Sequence, residues 1–191
     1  MSADECREQI QMLERGLVVP NNRATMTANA SEDLDKIGSS ALSAPSMPIP
    51  PLPDLRARDT FRIWTRISIR YSDLDPIGHV NNAITPMFFE EARCSVVYPV
   101  LHANGRSDLD LVLARTVIDY VKELSYPGAV DIGTRVHRVG TKSLHMVHGV
   151  FDAATGACAA TGECILVFFD QKLRTSVPPP DELRARLRAL V

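Results

Sequence analysis

No aromatic residue precedes Phe61 in this chain of 191 residues. All six Phe, all four Tyr and the single Trp lie between Phe61 and Phe169. Large rings supply much of the area a core buries, so the stretch before Phe61 is predicted to build no core of its own. Long hydrophobic runs are missing too. None approaches the roughly 18 residues of a membrane-spanning helix, which excludes an integral membrane protein of that kind. Neither charge sign is in excess, with 21 Lys and Arg against 23 Asp and Glu. That balance leaves no basic footprint for nucleic acid or an anionic membrane. The four cysteines, Cys6, Cys94, Cys158 and Cys164, form no CxxC pair and no His/Cys cluster with zinc spacing, so no metal site is expected. Cys158 and Cys164 share a strand-like segment, but same-strand residues six apart cannot bridge. They read as buried or half-buried thiols in a reducing cytoplasm. The polar, acidic opening lacks the basic start and apolar stretch of a signal peptide, in keeping with a cytoplasmic location.

What is present divides the chain in two. Within residues 4–18, Ile10, Leu13 and Leu17 fall on one helical stripe, too short to be stable alone. Residues 21–44 show no period. Pro45, Pro48, Pro50, Pro51 and Pro53 then make a stiff, extended spacer that cannot join a sheet. Residues 1–59 thus read as an N-terminal extension with a short helix and a proline-rich linker, and residues 60–191 as the working domain.

From Phe61 the pattern changes. Phe61, Ile63, Thr65, Ile67, Ile69 and Tyr71 alternate with Arg62, Trp64, Arg66, Ser68 and Arg70, a strand with one face in a core. A polar loop follows over 72–82. Asn82 is predicted to cap a helix that Pro99 ends near residue 98, with Pro86 harmless in its first turn. Ile84, Met87, Phe88, Glu91, Ala92 and Ser95 share one stripe of that helix, which would put the Glu91 carboxylate among apolar neighbours. After a polar loop at 104–108, turn-separated strands are predicted at 111–122, 130–139, 142–152 and 157–169, most simply antiparallel. A short basic helix at 181–190 closes the chain. Strand, helix and four strands make an α+β domain with the sheet wrapped around the helix. In the third and fourth of those later strands both faces are apolar: Leu144, Met146, His148 and Val150 back onto Val147, Gly149 and Phe151. The sheet's second face therefore needs a cover, from a partner subunit or the N-terminal extension.

The loop that joins the first strand to the helix holds the chemistry. It carries Asp73, Asp75, Gly78 and His79 up to the unpaired N–H groups and positive dipole end of a helix. Donors there can stabilise a developing oxyanion, while a carboxylate attacks or activates water. Asp73 reads as a brace for the loop, pairing with an arginine. His145 and His148 lie on opposite faces of one strand and read as structural.

The run Arg70-Tyr-Ser-Asp73-Leu-Asp75-Pro-Ile-Gly78-His79-Val80-Asn81-Asn82, followed by Phe89-Glu-Glu91-Ala-Arg93, resembles the hotdog-fold acyl-CoA thioesterases of the 4-hydroxybenzoyl-CoA thioesterase type. Asp119-Tyr120, Tyr126-Pro127-Gly128 and Gly140-Thr-Lys142-Ser143 agree with it, so the match spans about Phe61 to Pro179. The resemblance implies a five-stranded antiparallel sheet around one helix. It implies homodimers joined edge to edge with active sites at the interface, often paired again into tetramers. It implies Asp75 as general base on water or as nucleophile through a mixed anhydride. Backbone N–H groups from Gly78 through Val80 to Asn81 would polarise the thioester carbonyl. His79 would shape the pocket or bond Asp75. Glu91 is the second candidate carboxylate, because a related branch of the fold places its catalytic glutamate on the helix. Lys142 and Ser143 match the family's position near coenzyme A, with Arg138 and Arg174 as weaker phosphate partners. No cofactor is implied beyond the coenzyme A of the acyl-CoA substrate. Met87, Phe88 and Tyr98 suggest an apolar acyl lining. A non-catalytic acyl-CoA sensor on the same fold is the competing reading, and a dehydratase is a third. Retention of Asp75 argues against the first of these, and the thioesterase-like order of the loop against the second.

Overall fold

The alternation that begins at Phe61 becomes strand β1 (Ile63–Ser68), whose residues are half-buried and exposed in turn. In this computed structural model residues 50–102 and 108–191 are described. The proposed helix at 4–18, the aperiodic stretch, Cys6, the start of the proline-rich run and most of the 104–108 loop lie outside the described residues. After β1 come helix α1 (Thr85–His102), strands β2 (Leu109–Tyr120), β3 (Ala129–Val139), β4 (Ser143–Asp152) and β5 (Cys158–Asp170), a two-residue strand β6 (Thr175–Ser176) and helix α2 (Asp181–Arg188). The sheet is antiparallel in the order β1-β3-β4-β5-β2, with β6 beside the end of β5. Five main strands curl around α1, the hotdog architecture. The short β6 is an addition to the expected set. Among the described residues no helix is long and apolar enough to cross a membrane.

Helix α1 differs from expectation at both ends and in its phase. Asn81, not Asn82, is the capping residue: its side-chain oxygen accepts the Ala83 N–H at 3.0 Å, and a 3₁₀ turn over Asn82–Ile84 precedes the α-helix. Pro99 does not end the helix, which runs on to His102. The proline forfeits one internal hydrogen bond, but Leu101, a half-turn beyond, is buried with Leu109 and Val97 and holds the last turn in place. The buried stripe carries Phe88, Phe89, Ala92, Arg93, Val96 and Val97. Glu91 is consequently exposed, and Met87 is half exposed. Water, rather than an apolar pocket, solvates the Glu91 charge, which removes the desolvation that its expected position would have imposed. Arg93 takes the buried place instead. Its guanidinium is only 9% exposed and lies 3.7 Å from the Glu90 carboxylate.

The inner face of the sheet meets this stripe. Register pairs Thr134 with His148, and Met146 with Cys164. His148 is fully buried and stacks on Phe89 with ring centroids 4.9 Å apart. Its Nδ1 lies 3.2 Å from Thr134 Oγ1 and its Nε2 3.5 Å from Cys164 Sγ. Burial, reinforced by the nearby Arg93 cation, pushes its pKa down to about 3. Burial likewise pushes the Cys164 thiol up to about 11, so it stays protonated and inert. The described cysteines are all free.

The outer face is covered by the chain itself. Phe61 and Leu55 pack over Val147, Phe151 and Cys158. Trp64 joins Phe61 and Phe151 in edge and tilted ring contacts, with Arg58 over its face at 4.2 Å. Gly133 and Gly149, directly paired across β3 and β4, make room for the Phe61 ring. A Cβ on Gly149 would come within 2.8 Å of that ring and of the Leu55 carbonyl. His137 bonds the Pro50 carbonyl at 3.0 Å, and beside it His145 bonds Glu163 at 2.8 Å. From the stretch read above as the extension, Leu55 and the Pro50 carbonyl thus meet the outer face of the sheet. At the far end, α2 buries Leu183 and Leu187 completely against Val96, Val97 and Leu101 of α1.

The buried imidazole makes stability depend on pH. Unfolded, His148 titrates near 6.5; folded, near 3. Between those values the unfolded chain binds a proton that the folded chain refuses, so stability is full above pH 6.5 and falls as pH drops toward 3. Asp131, Asp152 and Glu163, whose pKa values are lowered, act in the same direction at lower pH. His148→Gln isolates the histidine's share. The unfolding free-energy gap between wild type and variant is expected to shrink by about 2 kcal/mol from pH 7 to pH 5, measured by urea denaturation. A gap independent of pH would contradict the neutral buried imidazole.

Candidate active site

The loop between β1 and α1 is held from both sides. Ile69 N–H donates to the Gly128 carbonyl at 2.9 Å, and a 3₁₀ turn over Tyr71–Asp73 follows. The Asp73 carboxylate, 2% exposed, accepts the Arg70 backbone N–H at 2.8 Å and the Arg70 Nε–H at 3.0 Å, with a second guanidinium nitrogen at 2.9 Å. Its backbone carbonyl accepts the Asn81 N–H at 2.8 Å. Asp73 is thus the brace that joins the strand's end to the helix's beginning. Between these ties the chain makes a tight turn at Asp75–Gly78, in which Gly78 N–H donates to the Asp75 carbonyl. Gly78 has φ +87°, a conformation that any side chain would strain. Its role here is conformational.

Asp75 sits at the head of that turn. One carboxylate oxygen, Oδ1, accepts the N–H groups of Ile77 at 3.0 Å and His79 at 3.1 Å. Its own N–H donates to the His79 carbonyl at 2.8 Å. The second oxygen has no hydrogen-bond partner among the described residues. His79 therefore does bond Asp75, through its backbone rather than its imidazole. The carboxylate borders an open cleft of about 600 Å³. The loop contributes Asp75, His79 and Val80, the helix start Asn82 and Thr85, and the end of β2 contributes Tyr120 and Lys122. Tyr120 donates its hydroxyl to the Asn82 carbonyl at 2.8 Å and braces the helix start. The cleft runs beside β2, an edge strand on which Leu113 and Tyr120 stand exposed.

The donors that can face a ligand are fewer than the loop suggests. Gly78 N–H serves the Asp75 carbonyl, His79 N–H the Asp75 carboxylate, Val80 N–H the Leu124 carbonyl and Asn81 N–H the Asp73 carbonyl. All four expected carbonyl-polarising groups are thus spent on the loop's own structure. Asn82 N–H, the next in line, has no partner among the described residues.

The structure separates the other candidates from this cleft. Glu91 lies on the exposed side of α1 and does not border it. Lys142, Ser143 and Arg138 gather at the turn between β3 and β4, whereas the cleft lies at the other end of the sheet, where β3 begins. Eleven residues of β3 separate them, roughly 30 Å at about 3.3 Å per residue. Lys142 donates to the Ser176 carbonyl at 2.8 Å, pinning β6, and Ser143 closes the turn on Gly140. Arg174 lies over Phe169, also at that far end. Met87, Phe88 and Tyr98 do not line the cleft. Tyr120 and Lys122 join the site through the pairing of Tyr120 with Ala160 across β2 and β5, and Asn82 and Thr85 through their place at the helix start. No local pattern announces that pairing. Among the described residues no three His, Cys, Asp or Glu side chains group as metal ligands.

Residues 69–187 match the family model described as the thioesterase-like superfamily. Among solved structures, a thioesterase from Thermus thermophilus, complexed with coenzyme A and Zn, is 33% identical with a TM-score of 0.59. That match covers 68% of this chain and 95% of the other. The PA5185 protein of Pseudomonas aeruginosa PAO1 is 27% identical with a TM-score of 0.61, covering 70% and 94%. In sequence, YsmA of Bacillus subtilis (strain 168) is 25% identical over 130 residues, covering 68% of this chain and 88% of its own.

Removal of the brace should loosen the loop. Asp73→Ala leaves the Arg70 backbone N–H without its acceptor, while the Arg70 guanidinium, 63% exposed, turns to water. The substitution is expected to lower unfolding free energy by about 1–3 kcal/mol, read from the urea midpoint at constant slope. An unmoved midpoint would deny the brace.

Proposed function

This chain belongs to the thioesterase-like superfamily, and within it we propose that it hydrolyses acyl-CoA thioesters to the free acid and coenzyme A, with Asp75 as the reacting carboxylate. The observation that carries this reading is the Asp75 carboxylate itself. Two backbone donors hold one oxygen, and the other is unpartnered beside a cleft at the start of α1. The Thermus relative, bound to coenzyme A, supports the ligand class. A narrower form of the proposal takes an aroyl thioester as substrate, as in the 4-hydroxybenzoyl-CoA thioesterase type. A carrier-protein thioester offers the same reacting group.

Chemically, the thioester carbonyl lies toward the helix start, where Asn82 N–H and the positive end of α1 stabilise negative charge on its oxygen. Asp75 then acts by one of two routes. As a base it takes a proton from water while the water oxygen bonds the carbonyl carbon. The tetrahedral intermediate expels coenzyme A as thiolate, which takes up the proton. As a nucleophile its oxygen bonds the carbonyl carbon directly, the thiolate leaves, and water cleaves the mixed anhydride. Neither route draws on a metal or an organic cofactor. His79 shapes the wall next to Asp75, and Lys122 at the cleft rim suits a coenzyme phosphate. In one chain Glu91, Lys142, Ser143 and Arg138 stand away from the reaction. A second copy joined along the exposed β2 edge would close the open side of the cleft, and this homodimer, alone or paired again, is the assembly we propose.

Thiol release across a panel of aliphatic and aromatic acyl-CoAs, followed with a disulfide reagent, tests the activity. Turnover on at least one is expected, with Asp75→Asn slower by about 10³-fold or more at unchanged melting temperature. Acyl-CoA binding without turnover by the wild type would turn the reading to a sensor. An unchanged rate in Asp75→Asn would remove Asp75 from the chemistry.

A further inference from the structure

Thr85, the first residue of α1, is 5% exposed and borders the cleft that Asp75 borders. A threonine in a helix ordinarily returns its hydroxyl proton to the carbonyl three or four residues back. Thr85 uses neither outlet here, and each carbonyl already accepts another donor. The Asn82 carbonyl receives the Tyr120 hydroxyl at 2.8 Å, and the Asn81 carbonyl receives the Ile84 N–H at 2.8 Å. Thr85 Oγ1 itself has no hydrogen-bond partner among the described residues. A buried hydroxyl without a partner is costly unless something outside the chain accepts from it. The cleft is where such an acceptor would come from.

We propose that Thr85 is a catalytic residue whose hydroxyl donates to the substrate's thioester carbonyl oxygen, beside the Asn82 N–H. The proposal rests on the hydrolytic reading above and adds a side-chain donor to it. Three observations converge. The four N–H groups from Gly78 to Asn81 are consumed within the loop, so the carbonyl would otherwise meet a single backbone donor. Asn82 and Thr85 both border the same cleft at the start of the helix. A valine would fill the volume of Thr85 equally well, so packing alone gives no reason for a hydroxyl. The contact strengthens as charge develops on the carbonyl oxygen and involves no proton transfer from Thr85, which stays protonated throughout. It therefore acts on kcat more than on KM.

Thr85→Val and Thr85→Ser separate the hydroxyl from the packing. Thr85→Val is expected to lower kcat by about 100-fold with KM within about threefold, while Thr85→Ser stays within about threefold of wild type in both. A second readout does not need turnover. In Asp75→Asn, bound benzoyl-CoA labelled with ¹³C at the thioester carbonyl should show its infrared carbonyl band moved to lower wavenumber. Addition of Thr85→Val should move the band back toward its position in water-free solvent. Equal losses in the Val and Ser variants, or a band indifferent to Thr85, would overturn the proposal. A wild type that binds the probe but hydrolyses no thioester would overturn the hydrolytic reading alone, and the band would then decide for Thr85. Failure of every acyl-CoA of the panel, benzoyl-CoA included, to bind to any form would overturn both.

Discussion

Strands β4 and β5 bury side chains on both faces, and the rest of the structure answers to that constraint. Neither face of such a sheet can be left in water. The inner face closes on α1, through His148, Met146 and Cys164 against Phe89, Ala92 and Val96. The outer face closes on the chain's own residues 50–61, whose Phe61 ring lies over the glycine pair Gly133 and Gly149. Fully burying a side chain of this size contributes about 1.5–3 kcal/mol, so the aromatic anchor and Leu55 together hold the segment firmly.

A helix locked inside a curled sheet has one fixed N-terminus, and the loop that reaches it inherits that precision. Asp73 ties the loop's beginning to its end. The Asp75–Gly78 turn then leaves a carboxylate with one oxygen held and one unpartnered. The same economy has a consequence for donors. Most N–H groups of the loop are used to make the turn, so the donors left for a ligand come from the first residues of the helix, Asn82 and Thr85. Both ends of the sheet carry conspicuous polar residues, and the cleft beside the held Asp75 carboxylate lies at the end where β3 begins. Lys142 and Ser143, at the other end, secure a turn and a short strand.

Much of this was legible before any coordinates. The period of two in β1, the two-faced apolar pattern of β4 and β5, the turn residues between strands and the Asp75–Gly78 loop all translate directly into local structure. The phase of α1 was not legible. A stripe through Met87 and Glu91 and one through Phe89 and Arg93 each combine apolar residues with one charge. What separates them is which side the sheet covers, and an arginine with a long apolar stem can be buried where a glutamate cannot. Pro99 likewise marks a helix end by local rule, yet burial of Leu101 carries the helix past it.

The sequence by itself determined the element types, the order of strands and helix, and the residues of the reactive loop, because each depends on neighbours a few positions apart. Only the tertiary structure decided which residues share the cleft. Tyr120 and Lys122 reach Asp75 through strand pairings between residues some 40 positions apart, and Glu91, Lys142 and Arg138 are parted from it by the length and curl of the sheet. The aromatic-poor stretch before Phe61 shows the same division. Its composition announced that it builds no core, while only the fold shows that Leu55, near its end, packs against the outer face of the sheet that follows.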